Sequence, residues 1–114
     1  MRTVLVVEDE PLIRLMLIDA LEGAGFSVIE AGTADEALDI ISDQTIHLLF
    51  TDIQTPGKLS GLDLAHVVAD RFPQAGILIA SGRLTLTDIE LPPSAEFFNK
   101  PYDLDKVINR LSEL

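Results

Sequence analysis

Val4-Leu5-Val6-Val7 is apolar at every position, and a strand without alternation has to be covered on both faces. No other feature constrains the chain as much, because a parallel sheet with helices above and below is the usual way to provide that cover. The following residues supply helices of the right kind. Pro11 suits a first helical position, apolar residues recur from 12 to 21, and Gly23 and Gly25 stop the run. Phe26-Ser27-Val28-Ile29 reads as a short strand, and Thr33 followed by Glu36 is a capping-box signature for a helix reaching about Ile41. Residues 46–50 form a third strand that ends at Thr51-Asp52; Thr55-Pro56-Gly57-Lys58 is loop. Ser60 then caps a helix carrying Leu62, Leu64, Ala65, Val68 and Ala69. Ile77-Leu78-Ile79-Ala80 is a fourth strand ending at Ser81-Gly82, and residues 95–98 a short fifth one ending at Asn99-Lys100-Pro101. Asp103 caps the last helix, which places Leu104, Val107, Ile108, Leu111 and Leu114 on one face.

Strand and helix alternate five times with no Ser/Gly linker and no repeat. The expectation is one α/β domain over residues 1–114, a doubly wound five-stranded parallel sheet built from right-handed crossovers. A length of 114 residues suits a single core. The absence of cysteine excludes disulfides and thiolate metal sites. There is neither a signal-peptide pattern nor an apolar run of membrane-spanning length. A formal charge of −11 repels phosphate backbones and argues against direct nucleic-acid binding. A cytoplasmic protein is expected.

In such sheets ligands bind beyond the carboxyl ends of the strands. Glu8 and Asp9 follow the first strand, Asp52 the third, Ser81 the fourth and Lys100 the fifth. Carboxylates converging in one crevice repel each other, which raises at least one pKa unless a cation sits among them. An all-oxygen set without His or Cys suits a hard ion, and Mg²⁺ is usually held by one or two carboxylates plus waters and phosphate oxygens. A carboxylate can also accept a phosphoryl group, giving an acyl phosphate. Catalysis would then be positioning plus charge neutralisation by Mg²⁺ and the Lys100 ammonium, with the Ser81 hydroxyl donating to a phosphoryl oxygen. His47 and His66 are isolated and read as structural or surface residues, and Met16 reads as core.

The runs V-L-V-V-E-D-E-P, T-D-I-Q-T-P, I-A-S-G and F-F-N-K-P, in that order and over essentially the whole chain, resemble the response-regulator receiver domain of two-component signalling. The resemblance implies strand order 2-1-3-4-5, Asp52 as phosphoacceptor, and Mg²⁺ held by Glu8, Asp9, Asp52 and the backbone carbonyl of Gln54. It implies that Ser81 and Lys100 bind the phosphoryl group, that Phe97 is the aromatic that turns inward when Ser81 moves, and that the Lys100–Pro101 bond is cis. A histidine kinase or histidine phosphotransfer protein would be the donor, a further protein would receive the output, and the chain would catalyse only its own phosphorylation and dephosphorylation. With no effector domain after the last helix, a stand-alone single-domain regulator is expected; a receiver module of a hybrid kinase, or a phosphate sink, is the alternative.

Two features depart from the family pattern. Five steps rather than four separate Pro56 from Gly61, and polar Thr55 stands where an apolar residue is common, so the loop beside the acceptor is expected to be reshaped. Leu91-Pro92-Pro93 disfavours helix and confines the fourth helix to roughly residues 85–90, or removes it. Other classes fit less well. A flavin module needs a phosphate cradle where Glu8-Asp9-Glu10 stands, and an Asp-nucleophile phosphatase places its nucleophile after the first strand with a second Asp two residues on. A degenerate receiver used only for binding would not need Glu8, Asp9, Asp52, Ser81 and Lys100 together.

In the first helix, Ile13, Met16, Leu17, Ala20, Leu21 and Ala24 follow helical spacing and are expected against the sheet. Leu12, Leu15 and Ile18 then form an exposed stripe close to Asp9, an apolar anchor for a helical partner. By the resemblance, that partner is a helical bundle carrying the phosphohistidine.

Overall fold

The computed structural model describes residues 2–82 and 91–114. Their order is β1 (Thr3–Val7), α1 (Pro11–Gly23), β2 (Ser27–Ala31), α2 (Ala34–Asp43), β3 (Leu48–Asp52), α3 (Gly61–Arg71), β4 (Gly76–Ser81), β5 (Ala95–Asn99) and α4 (Leu104–Glu113). All strand pairings are parallel, and the sheet order is β2-β1-β3-β4-β5, as expected. The stretch expected to hold a shortened fourth helix, 85–90, lies outside the described residues.

The unbroken apolar runs of β1, β3 and β4 are buried on both faces. On one face Leu5, Leu49, Ile77 and Ile79 meet Ala37 and Ile41 of α2 and Leu64 and Val68 of α3. On the other, Val4, Val6, Phe50 and Leu78 meet Leu17 and Leu21 of α1 and Val107 and Leu111 of α4. The helix starts follow the local chemistry. Thr33 accepts from the Glu36 N–H at the head of α2, Ser60 and Asp63 form a reciprocal capping box on α3, and Asp103 accepts from the Asp105 N–H on α4. Glu10 leads into α1 without a side-chain cap, and Pro11 at its first position needs no N–H partner.

The rotation of α1 about its axis departs from expectation. Leu17 and Leu21 are buried as expected, but Ile13 is 38% exposed, Met16 61% exposed, and Ala24 also faces solvent. The inward face is 14, 17, 18, 20 and 21, with Ala20 partly buried as expected, because Arg14 takes an inward-lying place that hydrophobicity alone gives to a neighbour. Its guanidinium donates to the Glu8 carbonyl at 2.7 Å and pairs with Glu30 of β2 at 3.0 Å, anchoring the helix through its polar head. Ile18, expected on the open stripe, is therefore partly buried. The open apolar surface consists of Leu12, Ile13, Leu15 and Met16. Met16 is not core.

Candidate functional site

Parallel register brings the strand ends to one level. Val7 pairs with Thr51, Asp52 with Ala80, and Ser81 with Asn99. The ladder continues one residue past each end, with Glu8 N–H donating to Ala31 O, Ile53 N–H to Ala80 O and Lys100 N–H to Ser81 O. The residues singled out above are therefore neighbours in space, although they are far apart in sequence.

Asp52 is buried and held from two sides: Lys100 Nζ lies 2.5 Å from its Oδ2, and the Gln54 N–H donates to Oδ1 at 3.1 Å. The same ammonium is 3.6 Å from Glu8 Oε1. Burial works against charge on Lys100, yet its hydrogen bond to Asp52 and the negative charges of Asp52 and Glu8 prevail, and its pKa is raised. Glu8 is buried as well, with Oε2 accepting from the Glu10 N–H at 3.0 Å. Its pKa is also raised, chiefly by burial and further by the Asp52 charge, against the opposing pull of the Glu10 amide and Lys100. Carboxylate oxygens of Glu8, Asp9 and Asp52 lie within 4.8 Å of one another. This all-oxygen set fits a hard dication, and the buried, protonation-prone Glu8 is what a cation at that point would stabilise in its charged form.

The model of the response regulator receiver domain family matches residues 4–112. The chain belongs to that family. The response regulator receiver protein CpdR of Brucella abortus is 27% identical over 100% of this chain and 97% of its own. The transcriptional regulator NtrC of Klebsiella pneumoniae is 30% identical over 90% of this chain, which spans only 22% of the NtrC length. Among solved structures, the response regulator TrrA of Thermotoga maritima, in complex with Mg²⁺-BeF, superposes with a TM-score of 0.82 at 27% identity, covering 99% of this chain and 98% of that one.

The remaining residues singled out in the sequence occupy several places in this receiver domain. Ser81 is fully buried at the end of β4. Phe97 pairs with Ile79, so strand alternation sets Phe97 and Ser81 on the same face, and the Phe97 ring packs partly buried on the α2–α3 side. Gln54 is exposed and contributes its amide to Asp52. The Lys100–Pro101 bond is cis. His47 does have a partner: its Nδ1 accepts from the Thr3 N–H at 2.9 Å. No helix among the described residues is long and apolar enough to cross a membrane.

Three residues to which sequence reading assigned no site role pack on or brace the elements that carry the acidic cluster. Gly61 starts α3 against Asp52: its N–H donates to Ile53 O at 2.7 Å, and a Cβ there would overlap the Asp52 carbonyl oxygen. A glycine directly after the cap Ser60 was the available signal. Tyr102 packs edge-on against Phe50, with ring centroids 5.5 Å apart. Its hydroxyl is buried without a hydrogen-bond partner among the described residues, and burial and the charge of Glu8 push its pKa up to about 12. Asp35 accepts from the Lys58 and Leu59 amides in the loop after β3.

Proposed function

We propose that this receiver domain takes a phosphoryl group onto Asp52 from the phosphohistidine of a histidine kinase or histidine phosphotransfer protein, with Mg²⁺ as cofactor. The carrying observation is the contact of Lys100 Nζ with Asp52 at 2.5 Å, beside carboxylates of Glu8, Asp9 and Asp52 within 4.8 Å of one another. An Asp52 oxygen forms the new bond to phosphorus as the bond from phosphorus to the donor imidazole nitrogen breaks, leaving an acyl phosphate. Glu8, Asp9, Asp52 and the Gln54 carbonyl would hold Mg²⁺, which when bound neutralises charge on the phosphoryl oxygens. Lys100, already adjacent to Asp52, supplies the second positive charge. Ser81 donates its hydroxyl to a phosphoryl oxygen, and Phe97, on the same face, follows Ser81 inward as the switch. The domain turns over no external substrate and promotes only its own phosphorylation and dephosphorylation. The Mg²⁺-BeF complex of TrrA supports the reading by similarity.

The donor docks on α1. Leu12 and Leu15 are 74% and 62% exposed, and Ile13 and Met16 take the place first assigned to Ile18. A pocket of about 410 Å³ lined by Ile13, Lys100, Pro101 and Tyr102 continues that surface to the residue that contacts the acceptor. A helical bundle seated there brings its phosphohistidine to Asp52. The setting is the cytosol, and the charge of −11 favours protein partners over nucleic acid.

Intact-mass measurement with acetyl phosphate tests the chemistry. The wild type gains one phosphoryl group only with Mg²⁺ present, and Asp52→Asn gains none. Labelling that persists in Asp52→Asn refutes the assignment of the acceptor.

A further inference from the structure

The segment after β3, residues 53–60, is held by a helix to which it does not belong. Asp35, in the first turn of α2, accepts from the Lys58 N–H through Oδ2 and from the Leu59 N–H through Oδ1, both at 2.9 Å. Thr55 Oγ1 donates to the Leu59 carbonyl at 3.1 Å and accepts from the Ala34 N–H at 3.3 Å. Gly57, at φ 108°, lies against the Asp35 carboxylate so closely that a Cβ would stand 2.5 Å from Oδ2. Two of the sequence departures therefore have a structural use: Thr55 is polar because it bridges the loop to α2, and the longer path from Pro56 to Gly61 reaches the Asp35 side chain. A carboxylate at the head of a helix is also well placed with respect to the helix dipole.

At its near end the same segment borders the acceptor. The Gln54 N–H donates to Asp52 Oδ1, and Ile53 is bonded on both sides, its N–H to Ala80 O and its carbonyl to the Gly61 N–H. Gln54 thus sits between a fixed residue and the bridged Thr55. A carbonyl ligand on a free loop must be ordered when a cation binds, which costs conformational entropy. A carbonyl on a loop already held needs no such ordering.

We propose that Asp35 is a positioning residue for the divalent-cation site: by capturing two successive amides it presets the Gln54 carbonyl beside the Glu8, Asp9 and Asp52 carboxylates. The inference rests on the Mg²⁺ reading above and adds to it a residue remote from the reacting atoms. Asp35 lies outside the cluster of Glu8, Asp9 and Asp52 that would hold the cation, so it is not catalytic.

The test is a Mg²⁺ titration followed by amide chemical shifts, together with hydrogen exchange of residues 53–59, with no phosphoryl donor present. Asp35→Ala and Gly57→Ala weaken Mg²⁺ binding about tenfold, the lower range for residues that orient metal ligands, and both speed exchange at Lys58 and Leu59. Asp35→Asn, which keeps one acceptor oxygen, falls between them and the wild type. Thr33→Ala is the control. Thr33 caps the same helix by accepting from the Glu36 N–H at 3.1 Å but holds no loop amide of residues 53–60, so its loss lowers Tm and leaves Mg²⁺ affinity unchanged. Asp35→Ala binding Mg²⁺ as tightly as the wild type overturns the inference, and so does Thr33→Ala weakening it equally. A wild type that takes up no Mg²⁺ overturns the cofactor reading itself.

Discussion

The two ends of the sheet treat charge in opposite ways. At the amino ends of the strands, Arg2 donates to the carbonyls of Leu114, Leu111 and Ser112 at 2.8, 3.1 and 2.9 Å and lies 5.6 Å from the centre of the Phe26 ring. Arg71 donates to Ser42 O at 3.2 Å, near the end of α2. With His47 and Phe72 these arginines wall a pocket of about 400 Å³. Here cations rest on the carbonyls of helix C-termini, where the chain gains from them. At the carboxyl ends, three acids crowd within 4.8 Å, Glu8 is driven toward its protonated form, and the Tyr102 hydroxyl has no partner among the described residues. One end is electrostatically relaxed. The other carries unfavourable electrostatics that a cation and a phosphoryl group can use, and departures from local rules of this kind concentrate at functional sites.

Substitutions at the two ends should therefore separate stability from function. The largest effect is expected at the carboxyl end: Lys100→Ala lowers the rate of labelling by acetyl phosphate about a hundredfold, comparable to losing one preorganised donor to a developing anion. A rate within threefold of the wild type would remove Lys100 from the chemistry. At the amino end the effect moves to stability. Arg2→Ala loses three hydrogen bonds to carbonyls and is expected to cost about 2 kcal/mol in urea unfolding, with the labelling rate unchanged. Impaired labelling in the folded Arg2→Ala protein would break the contrast.

The smallest effect has the opposite sign. Glu8 has a raised pKa in the folded state, so the fold binds its proton more tightly than the unfolded chain does. Its contribution to stability is full below the unperturbed value of 4.5 and is lost as pH rises through the raised folded value. In Mg²⁺-free buffer at pH 7, Glu8→Gln is expected to gain roughly 1 kcal/mol by removing a buried charge. The fall in stability above pH 4.5 should become shallower in this variant. Loss of stability in Glu8→Gln under those conditions would mean that Lys100 and the Glu10 amide already compensate the carboxylate.

The sheet and most of the site were legible in the sequence because each depends on local signals. Unbroken apolar runs mark β1, β3 and β4, while Thr33, Ser60 and Asp103 mark helix starts. The polar residue directly after each strand falls at the level where ligands bind. What was not legible depends on partners far apart in the chain. The rotation of α1 turns on Arg14 finding the Glu8 carbonyl and Glu30, and an arginine in a helical pattern reads as a solvent position. The grip of Asp35 on Lys58 and Leu59 leaves no periodic trace, and the burial of the Tyr102 hydroxyl follows only once α4 and β3 are packed.

Gly61 gives Asp52 a hard backstop. The Asp52 carbonyl abuts a residue with no room for a side chain, and the Gly61 N–H is tied to the next carbonyl along, that of Ile53. Close-packed interiors compress little, so movement of the Asp52 backbone toward the start of α3 is resisted at this contact. The first turn of α3 can lie this close to the end of β3 because Gly61 carries a hydrogen atom where any other residue would carry a carbon.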